Sequence, residues 1–307
     1  MTTVEVRSTG DTKLERVMRR VRSVGFVGAV AFYVKSYFPN ITNTEVPFFD
    51  RLHNVFDVHS DKHRQPWEKY TLWEKTLGAV RLRAHTSDIH TLVEMRGDMY
   101  NIPEEFKRER FPSVSLIDLG SNIGLATKKI YIQLRQLGIN VSRMILVEPD
   151  SGNIAFSREN LSRIEGIEQV EAAISNTTDA RVLTRPSGIK GTDSYSVREE
   201  GIGTSVRCIT LKEVTSDVSF PIILKVDIEG AENDLLDIPD IERALENVHL
   251  IFIEDHTGNH VIKGLIGYDF TRVDNTLRSL GFTQLGQDNK DRVYIRARDD
   301  SNVRPTA

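Results

Sequence analysis

Cysteine is nearly missing from this chain: of 307 residues only Cys208 is one. That excludes an internal disulfide and any zinc site built from several thiolates, and it fits a reducing compartment such as the cytosol. Long apolar runs are missing too. The longest, Val24 to Val34, is eleven residues, well short of the ~20 that a membrane-spanning helix needs. Neither sign of charge dominates. With 40 basic and 44 acidic residues the net charge is −4, which gives no overall attraction to nucleic acid or anionic membrane. The first dozen residues mix polar, acidic and basic side chains and carry no secretory pattern.

Two motifs of nicotinamide-dependent enzymes are absent as well. The chain lacks the Gly-x-Gly-x-x-Gly turn that cradles a dinucleotide pyrophosphate, and none of its eight tyrosines has lysine four residues later, the pairing expected of a short-chain oxidoreductase. What stands in their place is Asp118-Leu-Gly120-Ser121-Asn122-Ile-Gly124. Leu116, Ile117 and Leu119 predict a buried strand ending at this turn, and apolar spacing from Ile123 through Leu137 predicts the helix after it. Gly120 and Gly124 are expected to leave bare backbone for a ligand lying across the helix N-terminus.

Asp118 would repel a pyrophosphate but attract a cation. S-adenosylmethionine, carrying an ammonium and a sulfonium, therefore fits better than NAD. The run Met144 to Val147 predicts the next strand, ending at Glu148. An acid there, roughly 20 residues beyond the glycines, takes ribose hydroxyls in doubly wound sheets. At the end of a third strand over Gln169 to Ile174, Ala172 and Ala173 are small enough to admit a flat ring.

The remaining pattern is an alternation of strands and helices. Strands are predicted at Ile222 to Val226, ending in Asp227, and at Val248 to Ile253, ending in Glu254-Asp255-His256. A helix capped by Asp269 follows, then an antiparallel pair, Phe282 to Leu285 and Arg292 to Arg296. The expected fold is α/β: a doubly wound, Rossmann-like sheet of seven strands with the last antiparallel. It occupies residues 80–299, after a mainly helical extension over 1–79 and before a disordered tail at 300–307. Between Arg181 and Leu211 two strand-like pieces flank a polar, glycine-rich loop, read as a hairpin insertion. Residues 13–34 combine basic and apolar positions. They are read as a helix packing on the catalytic domain, with peripheral membrane contact as the second reading.

Carried by Asp118 to Gly124, Glu148-Pro149, Lys225-Val-Asp-Ile-Glu-Gly-Ala-Glu232 and Glu254-Asp-His256, with a matching lead-in from Arg81 to Tyr100, the chain resembles the FkbM family of S-adenosylmethionine-dependent methyltransferases. The resemblance implies methylation of a hydroxyl group on a sugar, glycan or other small acceptor.

On this reading Asp118 meets the methionine ammonium, Ser121 and Asn122 the methionyl portion, and Glu148 the ribose. Asp227, Glu254 and His256 face the acceptor. His256 is expected to be the general base, because an unperturbed imidazole titrates near neutral pH. A divalent cation held by Asp227 and Glu254 is set second to a metal-free site. The rivals are an NAD-dependent oxidoreductase or epimerase and a non-catalytic scaffold that only binds cofactor. A nucleic-acid acceptor is not expected, since neither a basic stripe nor an Asn-Pro-Pro-Tyr-like strand end is present. The location implied is cytoplasmic, with a membrane-peripheral variant resting on residues 13–34. No feature specifies an oligomeric state.

Overall fold

The computed structural model describes residues 57, 60, 61, 63–184, 196–198, 203–229, 231–257, 269–286 and 291–296. The chain divides into two units, Met1–His63 and Arg64–Ala307. The first lies almost wholly outside the described residues, as do the segment 13–34 and the tail 300–307, so the readings made of them fall outside as well.

The second unit opens with a hairpin, β1 (Lys69–Glu74) and β2 (Gly78–Arg83), followed by α1 (Asp88–Met95) and α2 (Glu104–Arg108). Then come β3 (Ser113–Leu119), α3 (Leu125–Gln136), β4 (Asn140–Glu148), α4 (Ser151–Asn160), β5 (Ile167–Glu171) and β6 (Ala173–Ile174). The insertion supplies β7 (Arg181–Thr184), β8 (Ser196–Arg198), β9 (Thr204–Val206) and β10 (Cys208–Ile209). The remainder is α5 (Leu211–Thr215), β11 (Ile222–Val226), α6 (Glu232–Leu236), α7 (Ile241–Ala244), β12 (Val248–Glu254), α8 (Phe270–Ser279), β13 (Phe282–Leu285) and β14 (Asp291–Arg296).

Seven strands form the main sheet in the order β13-β14-β12-β11-β3-β4-β5. The expected architecture is present. The β3, β4, β5, β11 and β12 neighbours pair parallel, and β14 runs antiparallel to both β12 and β13. Strands buried on both faces read as continuous apolar runs, which is why β11, Ile-Ile-Leu-Lys-Val, is buried at every position. Ile117, Val147, Leu224 and Ile251 of the sheet share one core cluster with Val214 of α5, Leu235 of α6, and Val273 and Leu277 of α8.

Three expectations change. Residues before Val80 contain β1, which pairs with β2 from Lys69↔Arg83 to Glu74↔Gly78. The hairpin belongs to the unit beginning at Arg64, so it crosses the expected 79/80 boundary; its aromatic-rich strand hid its alternation, with Tyr70 buried and Trp73 75% exposed. The third strand breaks at Ala172. Ala172 donates to Glu148 O at 3.2 Å and Ala173 to Arg207 O at 2.8 Å, so β6 leaves the main sheet to pair with β10. The insertion is a three-stranded sheet with β7 between β8 and β9. Among the described residues no helix is long and apolar enough to cross a membrane.

Helix α3 in turn fixes the segment after α1. Lys129, 3% exposed, donates to Gly97 O at 2.7 Å and Met99 O at 2.6 Å, and Gln133 donates to Tyr100 O at 3.0 Å. These bonds set the Tyr100 ring edge-on to Phe252, with centroids 5.8 Å apart. Met99 and Tyr100 thereby become one wall of the cavity at the carboxyl ends of the strands.

Candidate functional site

That cavity, about 410 Å³, is lined by Ser121, Asn122, Glu148, Ala172 and Ala173 together with Asp227, Glu254 and His256. Its size is that of a small-molecule or cofactor site. Of the residues singled out from the sequence, Gly120 also lines it, whereas Asp118 and Gly124 do not.

The two glycines have a different reason to be glycine from the expected one. Gly120 has φ +76°, and a Cβ on it would lie 1.8 Å from Asp227 O. Gly124 has φ +81°, and its Cβ would lie 2.9 Å from Leu161 Cδ1 and 3.1 Å from Ser157 Cβ. Both let protein approach protein, the β3 turn against the end of β11 and the start of α3 against α4. Gly120→Ala is expected to destabilise the fold by well over about 1 kcal/mol, since positive φ and a backbone clash add; urea denaturation measures it, and a change within error would refute the account.

The turn also uses its own amides. Gly120 N and Ser121 N both donate to Val147 O, at 2.9 and 3.1 Å, and Gly124 N donates to Ser121 O at 2.8 Å. Asn122 N donates to Glu148 Oε2 at 2.9 Å. A pyrophosphate would need such amides; here a carboxylate already sits on one of them. Asn122, held at φ +48°, leaves its Oδ1 buried without a hydrogen-bond partner. An acceptor oxygen of this kind suits a ligand that donates.

Glu148, 5% exposed, also accepts from Asp150 N at 3.0 Å and Asn153 Nδ2 at 3.2 Å. Burial raises its pKa to about 7, against the pull of these donors, with the Asp150 charge adding to the rise. Behind it runs a buried chain that the sequence did not disclose. Arg83 donates to Asn153 Oδ1 at 2.7 Å and grips Asp88 through Nε at 2.8 Å and Nη2 at 2.7 Å. The hairpin thus braces the α4 N-terminus, where Asp150 accepts from Asn153 N at 2.8 Å. Only the Arg81-Leu-Arg and Ser87-Asp88 strings hinted at it.

Asp118 does not reach the cavity. It is fully buried, 3.1 Å from Lys225 Nζ, and accepts from Thr127 Oγ1. The contact follows from register, because Asp118 and Lys225 are directly opposed on β3 and β11. Lys225 further donates to Gly120 O at 2.7 Å and lies 3.4 Å from Asp227. Burial works against its charge, but Asp118 and Asp227 outweigh that and hold its pKa above the ordinary value. Direct contact between Asp118 and an ammonium is therefore replaced by support of the turn from beneath.

His256 is likewise not the neutral imidazole expected. Its Nε2 lies 3.7 Å from Asp227, 3.7 Å from Glu229 and 3.8 Å from Glu254, and its Nδ1 lies 3.4 Å from Glu232. Burial alone would lower its pKa; the bond to Glu232 and the charges of Glu232, Glu254 and Asp227 carry it up to about 10. These surroundings favour the protonated ring over the free imidazole expected. Asp227 moves the other way. Burial pushes its pKa up, but Lys225 and His256 hold it below the usual value.

The seven-stranded sheet with its antiparallel edge has the Rossmann-like methyltransferase fold. The chain belongs to the FkbM methyltransferase family, whose domain matches residues 118–283, just over half of its length; the family is one of S-adenosylmethionine-dependent enzymes. Among solved structures it is similar to a methyltransferase FkbM from Methylobacillus flagellatus, with 15% identity over 80% of this chain and 60% of that one and a TM-score of 0.39. It is also similar to the fibrillarin pre-rRNA processing protein of Methanococcus jannaschii (11% identity, 76% and 85% covered, TM-score 0.38) and to TrmK of M. capricolum bound to S-adenosylhomocysteine (8%, 62% and 63%, 0.29). This chain spans 60% of the length of the M. flagellatus protein. No curated protein matches it.

Proposed function

We propose that the protein transfers a methyl group from S-adenosylmethionine to a hydroxyl of a small molecule or glycan. The observation that carries the proposal is that Asn122, Glu148, Ala172 and Ala173 line one cavity together with Asp227, Glu254 and His256. The cofactor supplies an electrophilic methyl: the new O–C bond forms as the C–S bond breaks, its electron pair staying on sulfur, and the hydroxyl proton is left to the protein.

Glu148 accepts from the ribose hydroxyls, Asn122 Oδ1 from the ammonium, and Ala172 and Ala173 leave room for the adenine. On the acceptor side lie Asp227, His256 and Glu254, and Glu254 is the carboxylate placed to receive the proton. The lining bears Glu94, Glu148, Asp227, Glu229, Glu254 and Asp255 against Lys225 and His256. That excess of negative charge favours neutral or cationic acceptors and opposes phosphate-rich ones such as nucleic acid.

The test is methyl transfer from labelled cofactor to panels of sugars, glycans, small alcohols, amines and RNA. Label is expected on hydroxyl acceptors alone. Transfer to amines or RNA would overturn the acceptor class, and uptake of NAD without uptake of S-adenosylhomocysteine would overturn the whole reading.

A further inference from the structure

Carboxylates are weak bases for an alcohol, and the acceptor side holds a second means of removing its proton. Asp227 and Glu229 follow β11, and His256 follows β12. One ligating atom from each of these three residues lies within 4.8 Å of the other two. All three line the cavity. Nε2 of His256 faces Asp227 and Glu229 at 3.7 Å each, with Glu254 beside them at 3.8 Å. Those are spacings that one ion can draw together with bonds of about 2.1 Å.

A further observation points the same way. Metal-bound histidine characteristically has a carboxylate on its other ring nitrogen, which fixes the tautomer that aims the lone pair at the ion. Glu232, fully buried, lies 3.4 Å from His256 Nδ1. It is anchored there because its Oε1 accepts from Ile228 N at 3.2 Å, while its Oε2 has no hydrogen-bond partner.

We propose that Asp227, Glu229 and His256 bind a divalent cation of the manganese or magnesium type at the acceptor end of the cavity, with Glu232 positioning His256 and Glu254 beside the ion. Two carboxylates, one imidazole and no thiolate favour such an ion over a soft one. The ion takes the place of the proton on His256 Nε2, which leaves to solvent as the metal binds. The cation would hold the acceptor oxygen and lower its pKa, so that a weak carboxylate base such as Glu254 suffices to take the proton. This deepens the methyltransferase reading and rests on it for the role of the ion, but not for its binding.

The experiment titrates Mn2+ into the full chain, with and without S-adenosylhomocysteine, following free Mn2+ by electron paramagnetic resonance and heat by calorimetry. One ion per chain is expected, displaced by excess Mg2+. Asp227→Asn and Glu229→Gln should each weaken it at least tenfold, and Glu232→Gln roughly tenfold through the histidine. Glu168→Gln, on an exposed part of β5, should leave it unchanged. Retained binding of S-adenosylhomocysteine shows that each variant is folded. Absence of a stoichiometric site, or a site indifferent to all three substitutions, overturns the proposal. If S-adenosylhomocysteine still binds in that case, the methyltransferase reading stands; if only the cation binds, that reading fails instead.

Discussion

Lys225→Met is expected to cost about 3–5 kcal/mol of folding stability, the penalty for leaving a buried charge without its partner. Asp118 is 0% exposed and Lys225 2% exposed, so no water can replace the lost ammonium. The methionine fills the stem's volume but leaves the Asp118 carboxylate with Thr127 as its hydrogen-bond donor and deprives Gly120 O of its donor. In a unit of this size, the loss corresponds to a fall in midpoint of roughly 6–20 °C. Asp118→Asn should cost less, because Asp227 still lies 3.4 Å from the lysine.

The double variant Asp118→Leu/Lys225→Met removes both charges and should regain much of the loss, since well-packed apolar replacements of buried pairs are often neutral. A double-mutant cycle by urea denaturation measures all of this. Should Lys225→Met fall within about 1 kcal/mol of the parent, where surface pairs lie, the pair is not the brace described.

The second large effect concerns Glu148. Glu148→Ala should weaken binding of S-adenosylhomocysteine at least about a hundredfold, because two charge-assisted hydrogen bonds at about 1.5–3 kcal/mol each are lost. The unaltered protein should show a pH effect of its own. With the carboxyl at about 7 and binding favouring the ionised form, affinity should be about tenfold weaker at pH 6 than at pH 8. Calorimetry at the two pH values reads it directly, and a flat profile would sink the ribose assignment.

Folding must respond in the opposite sense. A carboxyl whose pKa is raised on folding binds protons more readily in the native state, so its contribution is full below the unfolded value of 4.5 and is lost as pH rises through about 7. Between those limits the parent should lose about 3 kcal/mol relative to Glu148→Gln, which does not titrate there. A relative stability that does not change with pH would place Glu148 near its ordinary pKa.

The fold was legible because burial on both faces leaves a plain trace. Apolar runs such as Met144 to Val147 and Ile222 to Val226, each ending in an acid or a glycine turn, marked the sheet and its carboxyl edge. Asp227, Glu254 and His256 could be grouped because strand ends converge in any such sheet. β1 was hidden by its exposed Trp73, and the break at Ala172 depends on the bond from Ala173 to Arg207, far along the chain. The Arg83–Asn153–Glu148 chain was hidden for the same reason, as it joins elements 70 residues apart.

The amino-acid order alone thus determined the seven-stranded sheet, the acids at its edge and the family to which they belong. Tertiary structure decided what those acids do. Parallel register buried Asp118 against Lys225 and so removed it from the cavity. Packing against Asp227 O requires glycine at position 120. Four carboxylates converging on His256 favour its protonated form over the free imidazole expected. The physical reason is common to all three: the charge state and reach of an ionisable group depend on desolvation and on neighbours within a few ångströms, which a linear pattern cannot place.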